Sequence, residues 1–298
     1  MKQVTLLDGS VGQELVLRSG KKPRAIWSTE VLLEKPEQVA EIHAEYFHAG
    51  ASIATTNTYP VLRDRLESEG LEGQLETLWD RALKAAREAR DNNGWGRVAG
   101  SIGPLVASYR PDECPPAKEA EVEYEEIVEA LGQAADLLLI ETMSSVDQAD
   151  GAMRAANKAS LPVWLAVTVD DFDGRVMRSG EPLSALIPLL ERHRPSALLI
   201  NCSRPEAVTT GLDIISGFGL PFGAYANGFT EISHGFVTST PTVDKLKRRL
   251  DLDVKKYGEF AMDWIAKGAS IVGGCCEIGP PYIKELAKRI RAAGHEIV

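Results

Sequence analysis

An alternation of strand and helix patterns, repeated eight times, is the feature that most constrains how this 298-residue chain can fold. Short apolar runs rich in β-forming residues are each followed by a longer segment with helical periodicity. We predict strands over residues 4–9, 51–59, 97–104, 136–143, 162–170, 197–203, 221–228 and 270–276. We predict the intervening helices over residues 35–49, 71–92, 117–135, 145–159, 182–193, 205–218, 257–267 and 281–293. Eight such units within about 250 to 300 residues predict a (β/α)8 barrel, the TIM-barrel fold, with parallel strands.

A doubly wound sheet is the alternative α/β architecture for such an alternation. It usually has fewer strands, and a glycine-rich GxGxxG turn follows its first strand when it binds a dinucleotide. The first turn here reads DGSVG over residues 8–12, which is not that motif. No composition shift, linker or low-complexity tract divides the chain, so we expect one domain over residues 1–298. The long segment 230–256 is predicted to be a loop over the barrel mouth.

Composition narrows the classes of partner. Forty-three acidic against 33 basic residues give a net charge of −10, which argues against nucleic acid and anionic membrane surfaces as partners. No stretch approaches the ~20 apolar residues of a membrane span. The N-terminal MKQVTLLDGS lacks the features of a secretory signal, so we expect a cytoplasmic protein. The expected partners are small molecules, and the sequence leaves the oligomeric state open.

Polar side chains close most of the predicted strands, and in a barrel the chemistry collects at those carboxyl ends. These strand-end residues are Asp8, Thr55, Thr56, Asn57, Glu141, Thr142, Asn201, Cys202, Asn227, Cys275 and Cys276. Three of the four cysteines therefore fall on the predicted active face, on the sixth and eighth strands. The fourth, Cys114, lies in a proline-rich loop without such neighbours.

The cysteines at the strand ends can be interpreted in two ways. A cysteine on a strand is usually a small buried apolar residue. Alternatively, Gly273 and Gly274 permit an interruption of the regular strand. The adjacent Cys275 and Cys276 could then both turn toward one point with Cys202. Three thiolates are a plausible zinc set with a fourth position open for substrate. The spacing contains no CxxC, so the cysteines alone leave both interpretations open.

A zinc ion with three thiolate ligands has a characteristic chemistry. Its net charge of −1 makes it a poor activator of water, but it favours the thiolate form of a further sulfur ligand. An electron-rich thiolate in a negative pocket suits a sulfonium or quaternary ammonium alkyl donor. The metal interpretation therefore predicts methyl transfer to a thiol.

Several segments resemble the zinc-dependent homocysteine S-methyltransferases, a family that includes S-methylmethionine-dependent enzymes, betaine–homocysteine methyltransferase and the homocysteine module of methionine synthase. The matching segments, in family order, are LLDGSVGQEL (6–15), residues 26–59, DLLLIETM (136–143), DDFDGRVMRSGEPL (170–183), INCS (200–203) and GGCCEIGPPYI (273–283). The resemblance implies that Cys202, Cys275 and Cys276 bind zinc and that homocysteine is the methyl acceptor.

The resemblance also implies a substrate-binding set. Asp8 and Glu141 would hold the homocysteine ammonium, and Thr56 with nearby backbone amides would receive its carboxylate. Gly9 and Asn201 complete the predicted set. From the residues alone, Asp8 could instead be a turn residue bonded to its own backbone, and Asn201 could merely orient its loop. Glu141 has a weaker structural explanation, because an acid after LLLI fits poorly in a core unless it is paired.

The methyl donor is less constrained. Trp27 matches a donor-site tryptophan of the family and could contact an onium group through a cation–π interaction. Asn227 stands where relatives often have YPN, but here the strand reads AYAN. Of the histidines, His43 and His48 are expected to be packing or surface residues, as are His193 and His295, and His234 could reach the barrel mouth.

The leading hypothesis is a zinc enzyme that methylates homocysteine to methionine. The chain ends soon after its last helix, without the extension expected of the betaine enzymes, which favours S-methylmethionine or S-adenosylmethionine as donor. Betaine or a corrinoid protein as donor, another thiol or a selenol as acceptor, and a non-catalytic zinc-binding barrel are the alternatives.

Overall fold

The computed structural model describes residues 1–20, 26–232 and 245–298 of the chain. Its strands are β1 (Gln3–Leu6), β2 (Ile53–Thr55), β3 (Arg97–Ile102), β4 (Leu137–Met143), β5 (Val163–Val167), β6 (Ala197–Asn201), β7 (Phe222–Tyr225), β8 (Ile271–Val272) and β9 (Glu296–Ile297). Its α-helices are α1 (Val11–Ser19), α2 (Thr29–Glu34), α3 (Pro36–Ala49), α4 (Arg63–Glu67), α5 (Leu75–Asn93), α6 (Ala117–Gly132), α7 (Val146–Ala156), α8 (Ile187–His193), α9 (Pro205–Ile215), α10 (Val254–Ala266) and α11 (Pro280–Ala292).

The strands form one parallel sheet in the order β2-β3-β4-β5-β6-β7-β8-β1-β9. The strands β1 and β2 meet through Ser52, whose N–H donates to the Leu6 carbonyl at 2.7 Å and whose hydroxyl oxygen accepts the Leu6 N–H at 3.1 Å. This contact joins the first and second strands of the eight repeating units. The predicted α/β barrel with parallel strands is therefore confirmed.

Several predicted boundaries were wrong. The second strand, predicted over 51–59, pairs only over Ile53–Thr55 because the chain then forms a turn. The short helices α1, α2 and α4 were not predicted, since they lie in connections that the strand–helix alternation treats as loops. Strand β9 was also missed, because two residues are too few to show the alternating hydrophobic pattern of a strand. The expected single domain over 1–298 stays a prediction.

The strands are apolar on both faces because both are buried. Inside the barrel, side chains from most strands meet in an inner cluster that contains Leu7, Ile53, Leu139, Trp164 and Ile271. Outside it, a larger cluster fills the space between the sheet and the helices. Strands covered on both sides read as continuous hydrophobic runs rather than alternating ones. This explains why the strand signal was strong enough to be read from sequence.

The helix starts follow local chemistry. Pro36 opens α3, as expected from a residue whose missing N–H costs nothing there. The Ser145 hydroxyl caps α7 by accepting the Gln148 N–H at 3.2 Å. Within the described ranges, no helix combines the length and the apolar character needed to cross a bilayer. Part of the predicted mouth loop, 233–244, and with it His234, lies outside the described residues.

Candidate functional site

Three cysteines come together at the carboxyl end of the barrel strands. Cys202 directly follows β6, and Cys275 and Cys276 follow β8. Their sulfur atoms all lie within 4.8 Å of one another, and the Sγ atoms of Cys202 and Cys276 are 3.8 Å apart. Sulfurs at about 2.3 Å from a tetrahedral zinc ion are separated by about 3.8 Å. The donor set therefore fits a soft, tetrahedral metal ion, and one ion can reach all three thiols.

The backbone explains how cysteines from different strands converge. Cys202 adopts a left-handed conformation with φ of 48°, which ends β6 and redirects its side chain. Beyond β8 the chain turns tightly, and a side chain at Gly274 would place a Cβ only 2.2 Å from Cγ2 of Ile278. The Cys275 N–H still donates to the Ala226 carbonyl at 2.9 Å, which anchors the turn to the strand end of β7. The adjacent cysteines therefore escape the alternation of a regular strand.

The three thiols differ in the direction of their pKa shifts. Hydrogen bonds from Cys275 and then Cys276 hold the pKa of the Cys202 thiol well below its ordinary value. Donation to Cys202, together with burial, raises the pKa values of Cys275 and Cys276 well above theirs. The cluster, with Cys202 buried and Cys275 and Cys276 partly exposed, is thus a centre of negative charge that a soft cation would neutralise.

A group of residues that sequence reasoning missed surrounds Cys202. The hydroxyl of Tyr109 lies 2.9 Å from the Cys202 sulfur. The guanidinium of Arg178 lies over the Tyr109 ring, 4.9 Å from its centroid, and donates to the Cys202 carbonyl at 3.3 Å. The buried carboxylate of Asp171 accepts two bonds from Arg178, at 3.0 and 3.1 Å. The segment 170–183 carried the family resemblance, but nothing in its sequence linked it to Cys202.

Asp8 lies at the end of β1 with its carboxylate buried. It accepts the backbone N–H of Thr55 at 2.6 Å and the Thr55 hydroxyl at 2.7 Å. Burial outweighs these bonds and raises the pKa of Asp8 to about 8. Behind it, Nδ1 of the buried His43 lies 4.0 Å away, and burial lowers the pKa of His43 to about 4. The carboxyl is therefore costly to ionise until a cation approaches it.

Glu141 is the second buried carboxylate of the site. It accepts hydrogen bonds from the hydroxyls of Ser101 and Tyr225, the latter at 3.1 Å. Burial raises its pKa to about 7 despite these bonds. Neither carboxylate has a lysine or arginine partner among the described residues. A cationic ligand would supply the missing charge.

The remaining predicted substrate residues differ in their positions. Thr56 and Gly9 line the cavity, and the Thr56 hydroxyl accepts the Ser101 N–H at 3.0 Å. Asn201 uses its amide on Thr142, accepting the N–H at 3.0 Å and donating to the hydroxyl at 2.9 Å. It lies outside the cavity lining. Its observed contacts match the alternative role of orienting a loop.

The two predicted donor-binding residues also differ in their positions relative to the cavity. Trp27 lines the cavity in a left-handed conformation, φ 47°, and its ring lies against the backbone of Gly12. Asn227 is buried outside the lining and accepts the Phe229 N–H at 3.1 Å, which stabilises the turn after β7. The structure thus places Trp27 in the cavity lining and Asn227 outside it.

The cavity above the strand ends has a volume of about 380 Å³ and joins these groups. Its lining includes the three cysteines, both buried carboxylates and Trp27. A further part of the wall comes from residues that were not predicted, namely Tyr59, Arg65, Val106, Ser108, Tyr109 and Leu246. Because loops after different strands supply these side chains, no sequence period could have marked them.

The fold and the site define a (β/α)8-barrel protein with a three-thiol candidate metal centre and a carboxylate-lined cavity. The family described as "Homocysteine S-methyltransferase" matches residues 5–290. The chain belongs to this homocysteine S-methyltransferase family, and it is an enzyme of that class. The resemblance inferred from sequence is thereby confirmed.

Individual relatives agree over nearly the whole length. The chain is 30% identical to "Homocysteine S-methyltransferase" of Escherichia coli K12, covering 97% of this chain and 96% of the relative. It is 28% identical to "Homocysteine S-methyltransferase YbgG" of Bacillus subtilis 168, with 96% and 94% coverage. Among solved structures, the metallated form of the homocysteine methyltransferase MmuM from Escherichia coli superimposes with a TM-score of 0.80 at 28% identity, covering 96% of each chain.

Proposed function

We propose that the protein transfers a methyl group from a small onium donor to the thiol of homocysteine, forming methionine, with zinc held by Cys202, Cys275 and Cys276. The observation that carries the proposal is the convergence of three sulfur atoms within 4.8 Å beside a cavity that also holds two buried carboxylates. The names of the relatives support homocysteine as acceptor, and a metallated form of MmuM supports a metal. The soft, anionic donor set supports zinc.

The two carboxylates suit the amino-acid end of homocysteine. An ammonium placed between Asp8 and Glu141 would lower both of their raised pKa values, because an opposite charge favours the ionised form. The hydroxyl of Thr56, in the same cavity wall, would lie near the substrate carboxylate. Binding at these groups would orient the substrate thiol toward the cysteines, and orientation lowers the barrier to the transfer.

The methyl transfer balances without an added acid or base. A bound zinc ion would supply stabilisation of the thiolate form of the substrate sulfur. The thiol proton leaves to solvent on binding, a new S–CH3 bond forms, and the bond between the methyl and the donor onium atom breaks with its electron pair left on the donor. The negative charge of the cysteines attracts a cationic donor, and the ring of Trp27 offers it an aromatic face.

The proposal extends to the methyl donor and to the domain organisation. S-methylmethionine or S-adenosylmethionine is the proposed donor, and residues 1–298 are proposed to form one homocysteine-binding domain. A cytoplasmic location is part of the proposal. Betaine or a corrinoid protein as donor, and other thiols or a selenol as acceptor, are the alternatives and are assayed beside the proposed donors and homocysteine.

The test combines turnover with metal content. We expect purified protein to carry about one zinc ion per chain and to form methionine from homocysteine with S-methylmethionine or S-adenosylmethionine. Cys202→Ser should lose most of the zinc and the turnover, because one thiolate ligand is removed. Cys114→Ser should keep both, since Cys114 lies outside the cluster.

Three results would count against the proposal. Methionine formed from none of the donors would contradict the activity. Zinc content unchanged in Cys202→Ser would contradict the assigned metal ligands. Stoichiometric zinc without any thiol-dependent turnover would favour a non-catalytic zinc-binding barrel.

A further inference from the structure

In the described part of the chain, a guanidinium in the cavity wall, that of Arg65, has no acidic partner. Arg65, on the short helix α4, lines the cavity beside Tyr59. It donates to the Pro104 carbonyl at 3.1 Å, and its Cζ lies 5.4 Å from the centroid of the Tyr59 ring. Within residues 1–20, 26–232 and 245–298, no carboxylate lies within 4.0 Å of it. The guanidinium therefore keeps most of its five donors available to a ligand.

Other arginines on the same side of the barrel have acidic partners. Arg63, two residues earlier on α4, forms a bidentate pair with Glu126 at 2.6 and 3.0 Å outside the cavity. Arg178, next to the cysteines, is paired with Asp171. A planar guanidinium matches a carboxylate bidentately, and this match is the strongest recognition available to it. An arginine that faces a cavity without such a partner is suited to a carboxylate brought by a ligand.

A chain of contacts leads from the sulfur cluster to this arginine. The Tyr109 hydroxyl lies 2.9 Å from the Cys202 sulfur, and the neighbouring Ser108 hydroxyl lies 2.6 Å from the hydroxyl of Tyr59. The Tyr59 ring then faces Arg65. Asp64, next to Arg65, also lines the cavity, and its carboxylate accepts the Val106 N–H at 2.7 Å without pairing with Arg65. A zwitterion with a cationic onium centre and a separate carboxylate matches the negatively charged cysteine end and the guanidinium of Arg65.

We propose that Arg65 binds the carboxylate of the methyl donor and so determines which onium compounds the enzyme accepts. The inference rests on the proposed function and deepens it by assigning the carboxylate that the proposed small donors share to one residue of the cavity wall. The pair of carboxylates and Thr56, which line the same cavity, are already proposed to bind the amino-acid group of homocysteine. Arg65 therefore serves the second substrate. A donor held at both ends presents its methyl group to the thiol in one orientation.

Binding measured without homocysteine tests the proposal. S-methylmethionine, S-adenosylmethionine and betaine are titrated into the zinc-loaded protein by calorimetry, and each compound that binds is compared with its carboxamide. We expect Arg65→Gln to weaken binding of the carboxylate form roughly 10- to 100-fold and to leave carboxamide binding unchanged. Arg65→Lys should fall between, because it keeps the charge and loses the bidentate geometry. Arg63→Gln is the matched control and should bind like the unaltered protein.

Several outcomes would overturn the assignment. Equal losses of affinity for the carboxylate and the carboxamide in Arg65→Gln would show that Arg65 only stabilises the loop at Pro104. Equal binding of both forms by the unaltered protein, or binding of none of the three carboxylates, would remove the subsite. A KM increase in Arg65→Gln confined to homocysteine would assign the arginine to the acceptor. Turnover is scored separately: Arg65-dependent binding without methionine formation would contradict the proposed function and leave the carboxylate site standing.

Discussion

At the scale of single residues, the site depends on ionisable groups that are buried before substrate arrives. Among the residues that the structure describes, Glu141 accepts hydrogen bonds only from the hydroxyls of Ser101 and Tyr225, which stabilise a carboxylate less than a cation does. Burial therefore raises its pKa from 4.5 to about 7. Such a group stabilises the fold while it is protonated and destabilises it when ionised, so a binding function is maintained at a cost in stability.

The pH dependence of stability tests this property of Glu141. Between pH 4.5 and 7 the folded protein retains a proton that the unfolded chain has lost, so stability falls as pH rises through this range. Glu141→Gln removes the effect. In the metal-free protein, we expect the free energy of unfolding of the variant minus that of the unaltered protein to increase by about 3 kcal/mol between pH 4 and pH 8.

Denaturant unfolding at a series of pH values measures this difference. Exposed Glu129 on α6 offers a matched control, and Glu129→Gln should give a difference from the unaltered protein that varies little with pH. A difference for Glu141→Gln that is equally constant would show that Glu141 ionises freely in the folded state.

At the scale of elements, the loop after β5 holds several other loops in place. The Asp171 carboxylate accepts bonds from Arg178 and from the backbone N–H groups of Arg204, at 3.2 Å, and Ile232, at 2.8 Å. Arg178 in turn bonds to the Cys202 carbonyl and to the Thr168 hydroxyl. The connections after β5, β6 and β7 thus share one buried ion pair. Partners of this kind orient metal ligands without touching the metal.

We predict that Asp171→Asn weakens zinc binding roughly 10- to 100-fold, because the left-handed Cys202 loses its support. The exposed Asp173–Arg175 pair, 2.7 Å apart in the same loop, provides the control, and Asp173→Asn should leave zinc affinity unchanged. Competition against a chelator measures the affinity, and Arg178→Lys repeats the test with the charge retained. Equal zinc affinities in Asp171→Asn and Asp173→Asn would show that the ion pair acts on folding alone.

At the scale of the whole molecule, closure of the barrel depends on a small contact. Among the described residues, no strand ladder joins β1 to β2, and Ser52 makes the connection with Leu6 through its backbone and its hydroxyl. Ser52 precedes β2, whereas Thr55 at the other end of the strand bonds to Asp8 in the site. Stability and chemistry therefore reside at opposite ends of the strands, as in other barrels.

Ser52→Ala leaves the buried N–H of Leu6 without a partner, so we expect a loss of about 1–3 kcal/mol in the free energy of unfolding. Zinc affinity should stay unchanged, because the contact is remote from the cysteines. Exposed Ser216 at the end of α9 is the control, and Ser216→Ala should change stability by less than about 0.5 kcal/mol. Similar stabilities for the two variants would indicate that the barrel closes without the hydroxyl.

The strands and helices of the repeating units were predictable because they follow from local sequence patterns. The eight apolar runs and the helices between them follow from periodicity over ten or so residues, and polar residues at strand ends mark the active face. That is how Asp8, Glu141 and the three cysteines were selected. The short helices α1, α2 and α4 escaped because none is long enough to carry a clear period.

The sequence by itself determined the barrel and the face on which its chemistry lies, because both follow from residues close together in the chain. It placed three cysteines on that face but left open whether their sulfur atoms meet, which the tertiary structure decided. Only the tertiary structure decided that Asn201 turns to Thr142, that Asp171 and Arg178 support Cys202, and that Arg65 faces the cavity. These assignments depend on the paths of loops that follow different strands. Loop paths are set by packing between remote residues, and no local pattern encodes them.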